Sequence, residues 1–238
     1  MPKIQVTEDG SHTLFSEMAG QTYHSSHGAI QESRHIFISQ LFIAKGLKTL
    51  GLTLNSQLSI LEIGFGTGLN AVLAAEWARE NGVRVGYTTI ELYPLEREVY
   101  SELNYGRLLG CEELFLQLHE AKWDEGMQRI NDNFAIRKCK SDIVEWLENE
   151  ECGMKNEELG MGNGMFDVVF FDAFSPDAQP ELWTEEVFQC AYALMRVGGV
   201  MTTYCAKGDV RRAMLAAGFK VEKLQGPPGK RHILRAVK

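Results

Sequence analysis

Short apolar runs alternate with stretches of helical spacing along most of the chain. The runs 58–63, 83–90, 134–139, 166–171 and 200–205 predict strands. The fourth run is almost entirely apolar, which is typical of a central parallel strand buried on both faces. Helices are expected over 69–80, 94–103, 111–118, 144–150, 184–195 and 210–217. This alternation predicts an α/β fold with a mostly parallel, twisted, doubly wound sheet.

Both ends of the chain depart from this alternation. An Asp-Gly pair between two extended runs predicts an N-terminal hairpin. A helix over about 30–45 follows, with Ser25 or Ser26 as its candidate N-cap. Residues 219–224 and 232–237 are expected to form a C-terminal antiparallel pair.

Composition is that of a globular protein, with 45% hydrophobic and 24% charged residues. We expect a hairpin and helix extension over 1–50 and a main α/β domain over 51–238. No apolar run is long enough to cross a bilayer and the N-terminus is polar, so neither a membrane span nor a signal peptide is expected. The net charge of -8 argues against bulk binding of nucleic acid. A local basic patch stays open, because phosphates feel charges within roughly 8–10 Å.

The cysteines and histidines give no metal-binding pattern. The five cysteines are scattered without a C-x-x-C pair, which predicts neither a zinc site nor a disulfide framework and suits a reducing cytoplasm. His24, His27 and His35 lie close together in the sequence, but their spacing matches no trusted ligand pattern. A structural or substrate-facing role is the expectation for these histidines.

A glycine-rich turn follows the first predicted strand of the main domain. Gly64, Gly66 and Gly68 occupy alternate positions, and glycine lets backbone pass close to a ligand. This G-x-G-x-G spacing differs from the G-x-G-x-x-G of dinucleotide sites. It suits a ligand with an amino-acid end and a sulfonium charge, which Glu62 could attract. A purely structural turn, or a site for another nucleotide, is the alternative.

Acidic residues are expected at the ends of three further strands. Glu91 could accept hydrogen bonds from ribose hydroxyls or be a solvated carboxylate. Asp142 could accept the adenine amino group or cap the next helix. Asp172 has the aromatic neighbours Phe174 and Trp183, and this combination suits a basic aliphatic amine. Asp172 would accept the proton of that amine. The alternative is that Asp172 caps the loop through backbone amides.

The segment after Asp172 excludes two classes of substrate. It contains no D-P-P-Y or N-P-P-Y sequence, which adenine-amine methyltransferases use, and no Pro-Cys pair, which a cysteine adduct with a pyrimidine would need.

Several segments together resemble the MnmD family, the methyltransferase half of the bifunctional MnmC tRNA wobble-uridine enzymes. They are Asp-Ala-Phe-Ser-Pro from Asp172, the turn from Gly64 to Asn70, the stretch from Tyr23 to His35, and the tail from Val210 to Arg231. The resemblance covers nearly the whole chain and implies a Rossmann-like fold that uses S-adenosyl-L-methionine (SAM). It implies methylation of the 5-aminomethyl group of wobble uridine 34. The implied cofactor residues are Glu62, Gly64, Gly66, Gly68, Asn70, Glu91 and Asp142, and the implied catalytic residue is Asp172.

The partner expected from this resemblance is tRNA, met by a local basic edge. Candidate phosphate contacts are Lys207, Arg211, Arg212, Lys230 and Arg231, with ordinary solvated charge as the alternative. The chain ends at Lys238 without a flavin-binding half, so a separate flavin-dependent oxidase is a candidate partner. The alternative function is a SAM-type transferase acting on a small aliphatic amine, as in polyamine aminopropyltransferases.

Overall fold

An eight-stranded sheet forms the centre of the protein in the computed structural model, which describes residues 2–39, 57–154 and 164–238. The strands of this sheet are β4 (Gln57–Ile63), β5 (Arg84–Ile90), β6 (Gln128–Arg129), β7 (Phe134–Cys139), β8 (Phe166–Phe171), β9 (Met195–Thr203), β10 (Lys220–Gln225) and β11 (His232–Val237). Their spatial order is β10-β11-β9-β8-β4-β5-β7-β6. The five central strands are parallel and the outer ones antiparallel, so the predicted fold class is confirmed.

Helices cover the two faces of this sheet. They are α1 (Ala29–Ser33), α2 (Leu69–Asn81), α3 (Arg97–Tyr100), α4 (Tyr105–Leu109), α5 (Glu112–Glu120), α6 (Ile143–Met154), α7 (Glu185–Leu194) and α8 (Gly208–Ala216). All six residues of β8 are buried, as expected for a strand with helices on both sides. Two apolar clusters result, one around Leu58 and Phe170 and the other around Leu61 and Phe171.

The N-terminal hairpin forms as predicted, with β1 (Lys3–Val6) antiparallel to β2 (His12–Ser16). A two-residue strand, β3 (Gln21–Thr22), extends it into a second sheet. The Asn104 side chain ties this sheet to the start of α4, since it accepts from the His12 amide and donates to the Gly10 carbonyl. The 1–50 and 51–238 division stays a prediction, because its boundary falls outside the described residues.

The helix predicted over 30–45 differs in its start and its form. Its N-cap position is Gly28 without a capping side chain, so the prediction of Ser25 or Ser26 was wrong. Asp9 and Ser11 of the hairpin accept the first helical amides instead, which is a tertiary contact that local pattern does not reveal. After α1 the chain forms a π-helix over Arg34–Ser39, and the rest of the predicted helix lies outside the described residues.

Two further predictions need correction. The helix predicted over 94–103 is limited to α3, and in the turn before it Glu91 accepts the Tyr93 amide. Strand β9 begins at Met195 rather than at residue 200, with a bulge against β8. Gly198 lies in that bulge with φ of 80°, a conformation that glycine adopts without a Cβ penalty.

None of the helices in the described ranges is long and apolar enough to span a bilayer. In the same three ranges, no cluster of three or more His, Cys, Asp or Glu side chains is arranged for a metal ion. Within those ranges, Cys111, Cys139, Cys190 and Cys205 form no disulfide bond.

Candidate active site

A cavity of about 500 Å³ opens at the carboxyl ends of β4, β5 and β8. Ligands of open parallel sheets bind at this edge, and the volume is in the range of small-molecule sites. Eight of the predicted site residues line it: Gly64, Gly66, Asn70, Glu91, Asp142, Asp172, Phe174 and Lys230. The cavity thus combines the predicted cofactor turn with the predicted catalytic carboxylate.

The glycine turn brings backbone to the cavity wall. Gly64 and Gly66 have φ of 89° and 49°, in the region that favours glycine. A Cβ on Gly64 would lie 3.0 Å from the Asp172 carbonyl oxygen, and one on Gly66 would lie 3.0 Å from the Tyr23 ring. Gly68 does not line the cavity but precedes α2 with φ of 72°. The first two glycines therefore shape the cavity, and the third sets the start of the helix.

Glu91 lies where the second strand ends, as predicted. Its two carboxylate oxygens accept from the amides of Gly66 and Tyr93, at 3.0 and 2.9 Å. Burial raises its pKa, although these amide bonds oppose the shift. Each oxygen retains a lone pair, so the carboxylate can still accept a hydrogen bond from a ligand hydroxyl.

Asp142 has the capping role that the sequence offered as one of its two alternatives. Its Oδ1 accepts from the amides of Val144 and Glu145, which caps α6. The residue is also exposed at the cavity wall. Contact with an adenine amino group stays a prediction.

Asp172 follows β8 and faces the cavity half-buried. Asn70 Nδ2 donates to its Oδ2 at 2.7 Å. Burial raises the pKa of Asp172 well above its ordinary value, and the nearby Glu32 carboxylate adds to this effect, whereas Asn70 and Lys230 oppose it. A carboxylate with a raised pKa is a stronger proton acceptor, which suits a general base.

Glu62 does not reach the cavity. Its side chain is fully buried in β4, and its Oε2 accepts from the Thr89 hydroxyl at 2.8 Å. Burial raises its pKa to about 8, although hydrogen bonds with Thr89, Tyr87 and Asn70 oppose the shift. The predicted attraction to a cationic ligand end therefore has no support in its position, and direct cofactor contact stays a prediction.

The two aromatic candidates have different positions. Phe174 lines the cavity, edge-on to Tyr23 at a centroid distance of 4.9 Å. Trp183 is 6% exposed, does not line the cavity and packs on Phe171. Its Nε1 donates to the Phe174 carbonyl at 2.8 Å. The structure thus assigns Trp183 to the support of the cavity wall.

The basic candidates do not form one cluster of free cations. Lys230 lines the cavity, where its Nζ lies 3.1 Å from Glu32 Oε1 and 4.8 Å from the centre of the Tyr204 ring. Lys207 pairs with Asp177, and Arg212 with Asp209. Arg231 is exposed and Arg211 half-buried. Phosphate contact stays a prediction for these residues, and for Lys230 the cavity position makes a contact inside the site the better interpretation.

The structure adds four residues to the site that the strand-end argument missed: Tyr23, His24, Glu32 and Tyr204. His24 Nε2 lies 2.7 Å from the Thr67 hydroxyl, and burial lowers the pKa of His24 to about 4, so the ring is neutral at pH 7. Three of the four come from the N-terminal segment with the histidines, where a structural or substrate-facing role was expected for the histidines but not for Tyr23 or Glu32.

His27 and His35 lie elsewhere, against Glu8 and the Gln225 carbonyl.

Comparisons with known proteins agree with this geometry. Residues 141–238 match the family model described as "S-adenosyl-L-methionine-dependent methyltransferase". A protein of Aromatoleum aromaticum named "tRNA 5-methylaminomethyl-2-thiouridine biosynthesis bifunctional protein MnmC" is 31% identical over 98% of this chain and 35% of its own length. One of the same name from Pseudomonas fluorescens is 29% identical over 99% of this chain and 35% of its length.

Among solved structures, MNMC2 from Aquifex aeolicus superposes with a TM-score of 0.74 at 27% identity, over 100% of this chain and 70% of that one. The chain spans about a third of the length of the curated relatives, 35% in both cases described. The resemblance predicted from the motifs is confirmed by these matches. The chain is therefore similar to S-adenosyl-L-methionine-dependent methyltransferases over residues 141–238, and over nearly its whole length to the part of the MnmC proteins that it spans.

Proposed function

We propose that the protein methylates the 5-aminomethyl group of wobble uridine 34 in tRNA, forming 5-methylaminomethyluridine or its 2-thio form. The observation that carries this proposal is the half-buried carboxylate of Asp172, fixed by Asn70 and facing the same cavity as the glycine turn. The names of the relatives that cover nearly the whole chain support the choice of tRNA substrate.

The residues of the cavity fit SAM. The glycine turn leaves space for it, and Glu91 has free lone pairs for the ribose hydroxyls. Asp142 also lines the cavity and would meet the adenine. When bound, SAM supplies a methyl group on a positively charged sulfur, which is the electrophile of the reaction.

Asp172 would act on the substrate amine. A primary aliphatic amine is mostly protonated at pH 7, because its pKa resembles that of lysine, about 10. The lone pair is then unavailable until the proton leaves. The Asp172 carboxylate would bind the ammonium group and accept its proton, and its raised pKa narrows the gap between donor and acceptor.

Substitution of Asp172 by Asn tests this role. The variant keeps the shape of the side chain but cannot accept the proton. Labelled methyl transfer from SAM to tRNA carrying 5-aminomethyluridine should fall by about 10² or more in kcat/KM, the usual contribution of general base catalysis. SAM affinity should change little, as measured by calorimetry. Transfer near the wild-type rate would refute the role of Asp172.

The substrate itself has a separate test. Nucleosides of tRNA from cells lacking the protein should accumulate 5-aminomethyluridine, and mass spectrometry would detect it. An unchanged nucleoside profile would instead favour a small aliphatic amine. A separate flavin-dependent oxidase acting before the methylation is part of the proposal, and its loss should remove 5-aminomethyluridine from the same profile.

A further inference from the structure

A lysine stands among the acids of the cavity. Lys230 lies in the turn between β10 and β11 and lines the same cavity as Asp172. Every other charged residue among the described ones of the cavity lining is an acid: Glu32, Glu91, Asp142, Asp172 and Glu181. These acids attract the sulfonium of SAM and the ammonium of the substrate, whereas a lysine repels both. Lys230 therefore has some other partner in the site.

The turn that carries Lys230 is held against the N-terminal segment. His35 Nε2 lies 2.9 Å from the Gln225 carbonyl oxygen, at the start of this turn. A Cβ on Gly229 would overlap the His27 ring, so the backbone of the turn packs directly on that ring. These contacts fix the backbone from which the Lys230 side chain enters the cavity.

The Lys230 ammonium is held on two sides. Its Nζ lies 3.1 Å from Glu32 Oε1 and 4.8 Å from the centre of the Tyr204 ring. Glu32 is 7% exposed, and the Ser25 amide donates to its other oxygen at 2.8 Å. Glu32 Oε1, however, accepts no hydrogen bond from any residue within the described ranges. The contact with Lys230 is therefore an ion pair without a directed hydrogen bond.

This arrangement leaves Lys230 with a donor for a ligand. An ammonium group has three N–H donors and no acceptor. The Glu32 carboxylate occupies one side of the group and the Tyr204 ring another, and the Lys230 side chain is still 27% exposed. Such a group binds an oxygen acceptor in the cavity and disfavours a second donor.

The surroundings of Lys230 also bring it near Asp172. The Tyr204 hydroxyl donates to the Ala173 carbonyl oxygen at 2.9 Å, and Ala173 directly follows Asp172. Lys230 opposes the rise in the pKa of Asp172, as a nearby cation does. An acceptor bound by Lys230 would therefore lie beside the group bound by Asp172. In a 5-aminomethyluracil the substituted carbon C5 is bonded to C4, so the amine and the C4 carbonyl oxygen lie side by side.

We propose that Lys230 donates a hydrogen bond to the C4 carbonyl oxygen of the substrate base while Asp172 holds the aminomethyl group, so that Lys230 selects uracil over cytosine. This role rests on the proposed function. Cytosine carries an amino group at C4, which is a donor that the ammonium cannot bind. Thiolation at C2 leaves the C4 carbonyl intact, so both forms of the uridine fit. Glu32 is a positioning residue that holds the Lys230 ammonium.

The test compares two tRNAs that differ only at the wobble base, with 5-aminomethyluridine in one and 5-aminomethylcytidine in the other. Labelled methyl transfer from SAM is measured for wild type and Lys230→Met. In wild type, kcat/KM should favour the uridine by about 100-fold or more. In Lys230→Met the uridine value should fall by about 10- to 100-fold, as for a lost hydrogen bond to a charged group, and the cytidine value by less than about threefold.

Two matched variants complete this comparison. Lys207→Met removes a lysine that pairs with Asp177 and does not line the cavity. The phosphates are the same in both tRNAs, so this variant should keep the ratio of the two values within about threefold of wild type. Lys230→Arg keeps a cationic donor and should retain at least about a tenfold preference for uridine. An equal loss on both tRNAs in Lys230→Met would indicate a phosphate contact and overturn the proposal.

Equilibrium binding separates this proposal from the proposed function. The Kd of each tRNA is measured with S-adenosylhomocysteine in place of SAM, so that no transfer is needed. Wild type should bind the uridine form about tenfold or more tightly than the cytidine form, and Lys230→Met should lose most of this difference. Absence of transfer to either tRNA would refute the proposed function, whereas equal binding of the two forms by wild type would refute the role of Lys230. If Lys230→Met does not fold, the double variant with Glu32→Gln replaces it in both measurements, because it leaves no buried charge without a partner.

Discussion

The buried Glu62 makes a quantitative prediction about stability and pH. In the unfolded chain its carboxyl has the ordinary pKa of 4.5, and in the folded protein burial raises the pKa to about 8. Between these values the folded state binds the extra proton, so folding stability falls as pH rises. The penalty is absent below pH 4.5 and complete above about pH 8.

The size of this penalty follows from linkage. Each pH unit in that window costs about 1.4 kcal/mol, so the full penalty is about 5 kcal/mol. Glu62→Gln has no charge to bury and escapes it. Near pH 4.5 the variant and wild type should have similar stability, and by pH 8 the variant should be more stable by about 4 to 5 kcal/mol.

The assay is urea unfolding of both proteins at intervals from pH 5 to 8.5, followed by circular dichroism. The difference between the two free energies of unfolding isolates Glu62, because Glu91, Asp172 and the other titrating groups are present in both. Glu102→Gln is the matched control, since Glu102 is exposed. Its difference from wild type should stay constant within about 0.5 kcal/mol. A constant difference for Glu62→Gln as well would refute the reasoning, because it would mean that Glu62 ionises as easily in the folded state as in the unfolded one.

The remaining predictions concern the cavity wall. Gly66→Ala and Gly110→Ala both place a side chain at positive φ, 49° and 70°, and each should cost about 1 kcal/mol in chemical unfolding. Only Gly66→Ala should also weaken SAM binding in calorimetry. Its Cβ would lie 3.0 Å from the Tyr23 ring, whereas a Cβ on Gly110 would have nothing within 4 Å. Equal SAM affinity in both variants would contradict the proposed position of the cofactor. Lys230→Met removes the cation beside the buried Glu32 and should cost about 1 to 3 kcal/mol, of which the double variant with Glu32→Gln should recover most. No recovery in that double variant would show that the ion pair is not the reason for the loss.

The central strands and the glycine turn could be predicted from the sequence. An apolar run such as 166–171 has few alternatives to a buried strand, and a turn of alternating glycines directly after an apolar run restricts the local backbone. The predicted strand ends also put Glu91, Asp142 and Asp172 at one edge of the sheet, because parallel strands all have their carboxyl ends at the same edge. All three line the cavity.

Long-range contacts were not predictable in the same way. The cap of α1 comes from Asp9 and Ser11, which reach it only after the hairpin has formed. Trp183 was expected at the substrate as an aromatic neighbour of Asp172, but it packs on Phe171 in the core. Lys230 was assigned to phosphate as part of a basic run, and its pairing with Glu32 joins segments nearly 200 residues apart.

The sequence by itself therefore determined the central parallel strands, the glycine turn and the carboxylates at the strand ends, since each depends on local pattern and on the common polarity of parallel strands. Only the tertiary structure decided which of these carboxylates has access to the cavity. Glu62 and Asp172 are both acids beside strand ends, yet the first is fully buried and the second lines the cavity. Burial and pKa are set by the surrounding atoms in three dimensions, and these come from β5, β8 and α2 together.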